Sequence, residues 1–286
     1  MTELLAPTIW KLSPTPPGYQ ISPFFEDHTF ATLDEASLQL PGGAYTTFRT
    51  YSNTRALRLE DHFNRLNESA QRASAHVRIN PDEVRACIRA ILHQLEARDY
   101  RFRLTLDLER EPGSIYLAAE PLHVPSPEEY AQGVKVISRI MHRKNPKAKL
   151  SGFIKDAHQI RKQLPPGINE TLMVRGDGMI LEGLSSNFFG IQSSILHTSK
   201  EGVLPGITQA VLLDICREAE IKVRNEGVFL SNISTLEEAF ITSASRAVLP
   251  VVQIDQTQIG TGHPGETTRR LMALFQERIE QESHEI

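Results

Sequence analysis

The segment Pro121 to Glu129, with Pro121, Pro125 and Pro127, divides the chain into two stretches of different texture. Proline fixes φ and removes a backbone donor, so such a run does not belong inside a helix or a central strand. Before it, helix and strand patterns mix. After it, short strands dominate and helices are few. At 286 residues the chain exceeds the usual span of one core, so two compact units are expected. The divisions are a small α/β unit at residues 1–120, a linker at 121–131 and a barrel-like unit at 132–286, an α+β or α/β arrangement overall.

Within the first unit, residues 1–30 are proline-rich and aperiodic up to Phe24-Phe25, an extended lead-in with one edge strand. Thr, Phe and Tyr cluster in Ala44–Tyr51 after the turn Pro41-Gly42-Gly43 and predict a strand. From Glu60, residues Leu59, His62, Phe63, Leu66, Ala70 and Ala73 recur on one helical face. Asn80-Pro81-Asp82-Glu83 supplies an N-cap, a proline at the first helical position and first-turn acids. Tyr100–Leu108 and Ser114–Ala119 form a hairpin. In the second unit, strands are predicted at 133–140, 170–174, 179–182, 188–192, 194–198, 239–242 and 248–254. Helices are predicted at 156–164, 206–219 and 265–280.

Bulk properties narrow the partners. The formal charge is −4, from 31 basic and 35 acidic residues, which gives no footprint for nucleic acid or an anionic membrane surface. A small metabolite fits. No window of eighteen apolar residues occurs, and the N-terminus has neither the basic start nor the apolar run of a signal peptide. A cytoplasmic location is expected. Cys87 and Cys216 lie in helical apolar stripes without a Cys or His at metal spacing, which predicts buried free thiols and no metal site.

Several residues have chemistry to offer. Glu182 follows the apolar strand Met179-Ile180-Leu181 and precedes Gly183, so a carboxylate stands where backbone can bend closely around a ligand. Buried there, it needs a cationic partner: a protonated pyridine nitrogen, or an arginine such as Arg175 or Arg246. Leu204-Pro205-Gly206-Ile207-Thr208 opens a helix whose first N–H groups and positive dipole end suit an anion, although a Pro-Gly helix start alone is also ordinary structure. Thr242-Ser243-Ala244-Ser245-Arg246 is a hydroxyl-rich corner, either an anion nest or a plain polar loop. Arg65 lies between the apolar positions of its helix and is a phosphate ligand or a surface ion-pair partner. Lys144, Lys147, Lys149, Lys155 and Lys162 form a lysine-rich stretch. Lys149, flanked by Ala148 and Leu150, is the candidate for a desolvated, nucleophilic amine. Lys155 starts a helix beside Asp156.

Taken together, the chain resembles the class IV aminotransferases, the fold-type IV pyridoxal-phosphate enzymes that include branched-chain and D-amino acid aminotransferases and aminodeoxychorismate lyase. The resemblance runs from about Tyr45 to Phe275. It rests on His62-Phe63-Asn64-Arg65-Leu66 with Ser69-Ala70, Lys149 ahead of Glu170, and Glu182-Gly183 with Ser186-Asn187-Phe188-Phe189. Leu204-Pro205-Gly206-Ile207-Thr208 and the run from Thr242-Ser243 to Pro250 complete it. It implies that Lys149 forms the Schiff base with pyridoxal 5′-phosphate and shuttles the proton between the substrate α-carbon and the cofactor. It implies that Glu182 pairs with the pyridinium nitrogen. Arg65, the Ile207 and Thr208 amides and the corner of Ser243, Ala244 and Ser245 would hold the phosphate. It further implies an active site between the two domains, completed by a second subunit, hence a homodimer.

Three positions depart from the pattern. Gly43-Ala44-Tyr45-Thr46-Thr47 stands where the family often has an aromatic and a Glu. Ala244 replaces a hydroxyl residue that often touches phosphate, and Gln209 stands where Arg often follows the Gly-Ile-Thr run. The expected activity is transfer of an amino group from an amino acid to a 2-oxo acid. The competing readings are β-elimination of the aminodeoxychorismate lyase type and a cofactor-binding relative without turnover. Arg101 and Arg103, two residues apart on one strand face, are candidates for the substrate carboxylate or simply strand arginines.

Overall fold

The computed structural model describes residues 7–25 and 29–286. Contacts divide the chain into two units, and neither is a single stretch of sequence. The first comprises residues 1–123, 148–158 and 282–286; the second comprises residues 124–147 and 159–281.

The first unit opens with β1 (Thr8–Pro14) and β2 (Tyr19–Phe24), then α1 (Leu33–Ser37), β3 (Gly43–Tyr51) and β4 (Arg55–Leu57). Helices α2 (Leu59–Arg72) and α3 (Pro81–Leu92) precede β5 (Tyr100–Asp107) and β6 (Ile115–Pro121). The second begins with α4 (Pro127–Gln132) and β7 (Val134–Ile140); α5 (Gly152–Lys162) contains the boundary at residues 158 and 159. There follow β8 (Ile168–Val174), β9 (Met179–Gly183), β10 (Asn187–Gln192), β11 (Ile195–His197) and α6 (Ile207–Glu218). The short strands β12 (Val223–Arg224) and β13 (Val228–Phe229) lead to β14 (Glu238–Ser243), β15 (Ala247–Ile254), β16 (Thr257–Gln258) and α7 (Glu266–Glu282). Finally β17 (Ser283–Glu285) returns to the first unit.

The first unit is a seven-stranded antiparallel sheet in the order β17-β4-β3-β5-β6-β1-β2. Phe48, Phe63, Leu66, Ile88, Ile91, Phe102 and Leu104 are fully or almost fully buried in its core. Asn80 caps α3 by accepting from Asp82 N at 3.1 Å, with Pro81 in the first turn, as its sequence predicts. Within the described residues the expected lead-in is instead the hairpin β1–β2. Pro14 ends β1 and Pro23 lies in β2, the sheet edge, where a missing N–H costs little. One edge strand was expected there; the prolines concealed the second strand and the pairing of the two.

In the second unit a ten-stranded sheet runs β12-β11-β10-β14-β15-β7-β8-β9-β13, with β16 on β15. One further pairing, Asn187 in β10 with Glu182 in β9, joins strands already linked the long way round through β14, β15, β7 and β8. Those six strands therefore form a closed, barrel-like ring, and the closing pair is Glu182–Asn187. Pro127, expected in a linker, sits in the first turn of α4. Ser126 Oγ accepts from Glu129 N at 3.1 Å, while Glu129 Oε2 accepts from Ser126 N at 2.8 Å, a reciprocal cap that converts the proline into a helix start.

Candidate active site

Lys149 and Arg65 lie in a polar cluster of the first unit, and Glu182 lies in one of the second. In the first unit, Lys149 lies on a short extended segment beside β3. Tyr45 N donates to Lys149 O at 2.8 Å, Ser151 N donates to Gly43 O at 2.9 Å, and Ala44 bridges to Leu150. Lys149 N also donates to Ser69 Oγ of α2 at 3.1 Å. β4 pairs with β3 only at Thr50 and Tyr51, so the start of β3 has a free edge for this segment. Lys149 is half-buried, whereas Lys144, Lys147, Lys155 and Lys162 are exposed. Its ammonium lies 4.5 Å from the centroid of the Tyr45 ring, a cation–π contact that also fixes the side chain.

Below it, α2 presents Arg65 and His62 to Thr46. Arg65 Nη2 donates to Thr46 Oγ1 at 2.8 Å and approaches His62 Nδ1 at 3.4 Å; Thr46 Oγ1 and His62 Nδ1 are 2.9 Å apart. Both partners are satisfied if His62 Nδ1 is the acceptor, which assigns the ring proton to Nε2. Burial, with Arg65 and Lys149 nearby, pulls the His62 pKa well below its usual 6.5, so the ring is neutral at pH 7. Burial also lowers Arg65, to about 10, and leaves it a cation at neutral pH. Its Nε is buried and has no hydrogen-bond partner among the described residues. A guanidinium with a donor to spare in a dry place suits an anion of phosphate type.

In the second unit, Glu182 and Asn187 face each other across β9 and β10, with Thr242 beside Asn187 on β14. Glu182 Oε1 accepts from Arg143 Nε at 2.7 Å, and both residues are buried. Glu182 Oε2 accepts from Leu204 N at 3.1 Å and Asn187 Nδ2 at 3.4 Å. Asn187 Nδ2 also donates to Leu204 O at 3.0 Å. The carboxylate and the approach to the helix mouth, 22 residues apart in the chain, are thus one structure. α6 then starts at Ile207 with Gly206 as its cap. The Ile207 and Thr208 amides have no acceptor within the helix, as at every helix start. Of the two arginines expected as protein partners of Glu182, neither serves; the structure uses Arg143. Arg175 pairs instead with Asp177 in an exposed turn, and Arg246 with Glu170. Arg143 sits three residues past β7, with no periodic pattern to single it out.

The hydroxyl corner is the β14–β15 turn. Arg246 donates from Nε to Ser243 Oγ at 3.1 Å, from Nη1 to Asn169 Oδ1 at 3.0 Å, and from Nη2 to Glu170 Oε2 and Ser185 Oγ, each at 2.8 Å. Burial alone would raise the Glu170 pKa, but Arg246, Arg161 and the hydrogen bonds bring it below the usual value. Ser243, Ala244 and Ser245 are half-buried.

The two strand arginines of the first unit are both engaged with acids. Arg103 is buried, with Nη2 donating to Asp34 Oδ1 at 2.8 Å and Nη1 to Ser37 Oγ at 2.8 Å. Arg101 pairs with Glu120. Cys87 and Cys216 are buried free thiols, and burial pushes Cys216 to about 12. Among the described residues no group of three His, Cys, Asp or Glu could hold a metal, and no helix is long and apolar enough to cross a membrane.

The family model for amino-transferase class IV matches residues 43–254, most of the chain. The chain belongs to the class IV aminotransferases. It is 25% identical over 253 residues to a putative branched-chain-amino-acid aminotransferase of Methanocaldococcus jannaschii, covering 82% of this chain and 86% of that protein. It is 23% identical over 259 residues to the D-alanine aminotransferase of Bacillus licheniformis, covering 86% and 91%. The solved structure of a putative branched-chain amino acid aminotransferase from Thermotoga maritima superimposes with a TM-score of 0.79 at 24% identity, over 96% of each chain. The protein is therefore a pyridoxal-phosphate-dependent transaminase of fold type IV.

Proposed function

We propose that this transaminase moves the amino group of an aliphatic amino acid to a 2-oxo acid with Lys149 as its reactive amine. The observation that carries the reading is that Lys149, alone among five neighbouring lysines, is half-buried and held between a β3 edge and the Tyr45 ring. Aliphatic donors are supported by two relatives, one named for branched-chain amino acids and one for D-alanine.

Pyridoxal phosphate supplies an electron sink for the charge that develops at the substrate α-carbon. The chain's own residues do the rest. Lys149 Nζ takes the α-proton and returns it, a transfer for which a fixed amine is suited. Glu182, paired with Arg143, would be the acceptor for the ring N–H. Arg65, the Ile207 and Thr208 amides and the corner of Ser243, Ala244 and Ser245 hold the phosphate. Neutral His62, through Thr46, keeps Arg65 in place without adding a second positive charge. Arg101 and Arg103 are already paired with Glu120 and Asp34, so we assign them to shaping the first unit's wall rather than to direct binding of a carboxylate.

The test is borohydride reduction of the loaded protein followed by peptide mapping. The label is expected on Lys149; label on Lys155 would sink the assignment. Aliphatic donors alone should also shift the cofactor's absorbance, and no shift with any of them would count against the donor class. We also infer a cytoplasmic homodimer, supported by the family resemblance; sedimentation as a single 32.1 kDa chain would exclude the dimer.

A further inference from the structure

Glu170 is not part of the proposed machinery, yet it is 1% exposed, ionised and surrounded by donors. Its Oε2 accepts from Arg246 Nη2 at 2.8 Å, Ser185 Oγ at 3.0 Å and Ser186 Oγ at 3.2 Å, and Oε1 accepts from Thr171 N at 3.1 Å. Ser185 and Ser186 belong to the β9–β10 turn, directly after the closing acid Glu182. Arg246 belongs to the β14–β15 turn and reaches Ser185 as well as Ser243. Tyr130 of α4 donates to the Arg246 carbonyl at 2.8 Å, which fixes its backbone. One ion pair, its carboxylate buried and its guanidinium half-buried, thus ties together two turns at the ends of four barrel strands. There is no room to loosen it: a Cβ on Gly183 would lie 2.9 Å from Glu170 Cγ and 2.2 Å from Ser186 Oγ.

A pair of this kind, with Glu170 buried and Arg246 half-buried, is a poor source of net stability, because taking the carboxylate out of water offsets much of the attraction. It fixes geometry instead. The turn it fixes carries Ala244, which has no hydroxyl to offer an anion, so binding there depends on where the backbone amides and the flanking Ser243 and Ser245 are held.

We propose that the Glu170–Arg246 pair is a positioning device that holds the β14–β15 turn in its anion-binding form, acting through Arg246 and touching no ligand itself. The inference rests on the reading that this corner holds the cofactor phosphate. The experiment compares binding of pyridoxal 5′-phosphate and of pyridoxal, which lacks the phosphate, to the cofactor-stripped wild type and to Glu170→Gln, Arg246→Lys and the milder Ser185→Ala. Wild type should prefer the phosphorylated form strongly. Each ion-pair variant should lose about tenfold of that preference while its affinity for pyridoxal stays unchanged, the scale of a disturbed buried network. The double variant should be no worse than the single ones. Equal weakening for both ligands, or an unchanged preference in all three variants, would overturn the positioning role. No preference in the wild type would instead overturn the phosphate reading. If the ion-pair variants do not fold, Ser185→Ala decides, with a smaller loss of preference expected and none counting against the proposal.

Discussion

His62 is a buried ring that must stay neutral. In the unfolded chain it takes up a proton near its usual value of 6.5; in the folded protein burial, Arg65 and Lys149 oppose that. Below pH 6.5 the unfolded state therefore binds more protons, and stability falls as pH falls, with a limiting slope on the order of 1 kcal/mol per pH unit. Thermal melts of the cofactor-free protein between pH 7 and pH 5 should show this loss. His62→Gln keeps an acceptor for Thr46 but cannot titrate, so its curve should be flatter. A variant as acid-sensitive as the wild type would show that the ring is not held neutral. Glu182 illustrates the opposite arrangement. It is buried beside a cation, with the Arg143 guanidinium sharing its burial at 2.7 Å.

At the scale of elements, the mouth of α6 is set by close packing. A Cβ on Gly206 would lie 2.0 Å from Asn187 Oδ1, the amide that links Glu182 to Leu204. The backbone of Gly206 is ordinary, with φ −76° and ψ 139°, so the requirement is for space and not for an unusual conformation. Gly206→Ala should cost about 1–3 kcal/mol, the usual range for overpacking, and weaken cofactor binding by displacing Asn187. Adding Asn187→Ser should recover part of the stability lost; strictly additive losses in denaturant melts would refute the contact.

Elements with strong local signals were legible in the sequence. The Asn80-Pro81 cap and the apolar stripe of α2 each carry their own chemistry within a few residues. The site motifs were legible as residue types. Their joining was not, because the Glu182–Arg143 and Glu170–Arg246 pairs span 39 and 76 positions and leave no periodic trace. The hairpin β1–β2 and helix α4 were obscured by prolines, which act as breakers in one context and as edge or first-turn residues in another. The capping box at Ser126 and Glu129 was present in the sequence and would have identified α4.

The whole molecule is organised by a chain that leaves its first unit and returns twice. At the second return, β17 pairs with β4, Ile286 N donates to Thr54 O at 3.0 Å, and Arg89 Nε donates to Ile286 O at 2.7 Å. Ile286 is 3% exposed within the first core. Deleting residues 282–286 removes that side chain, worth about 1.5–3 kcal/mol if fully buried, and leaves β4 as a bare edge. Amide exchange in β3 and β4 should accelerate in the truncated protein while the β7–β8 ladder stays protected; equal acceleration in both ladders would count against a local effect.

The lysine segment is the other return. Domains commonly fold in order of synthesis as they leave the ribosome. Here the sheet that begins at Thr8 still lacks Lys149 after its own strands β1 to β6 have been made, and lacks its outermost strand until residue 285. The unit begun first is completed last, and a nascent chain of this protein acquires the lysine proposed as its reactive amine only after it has begun to build the second unit.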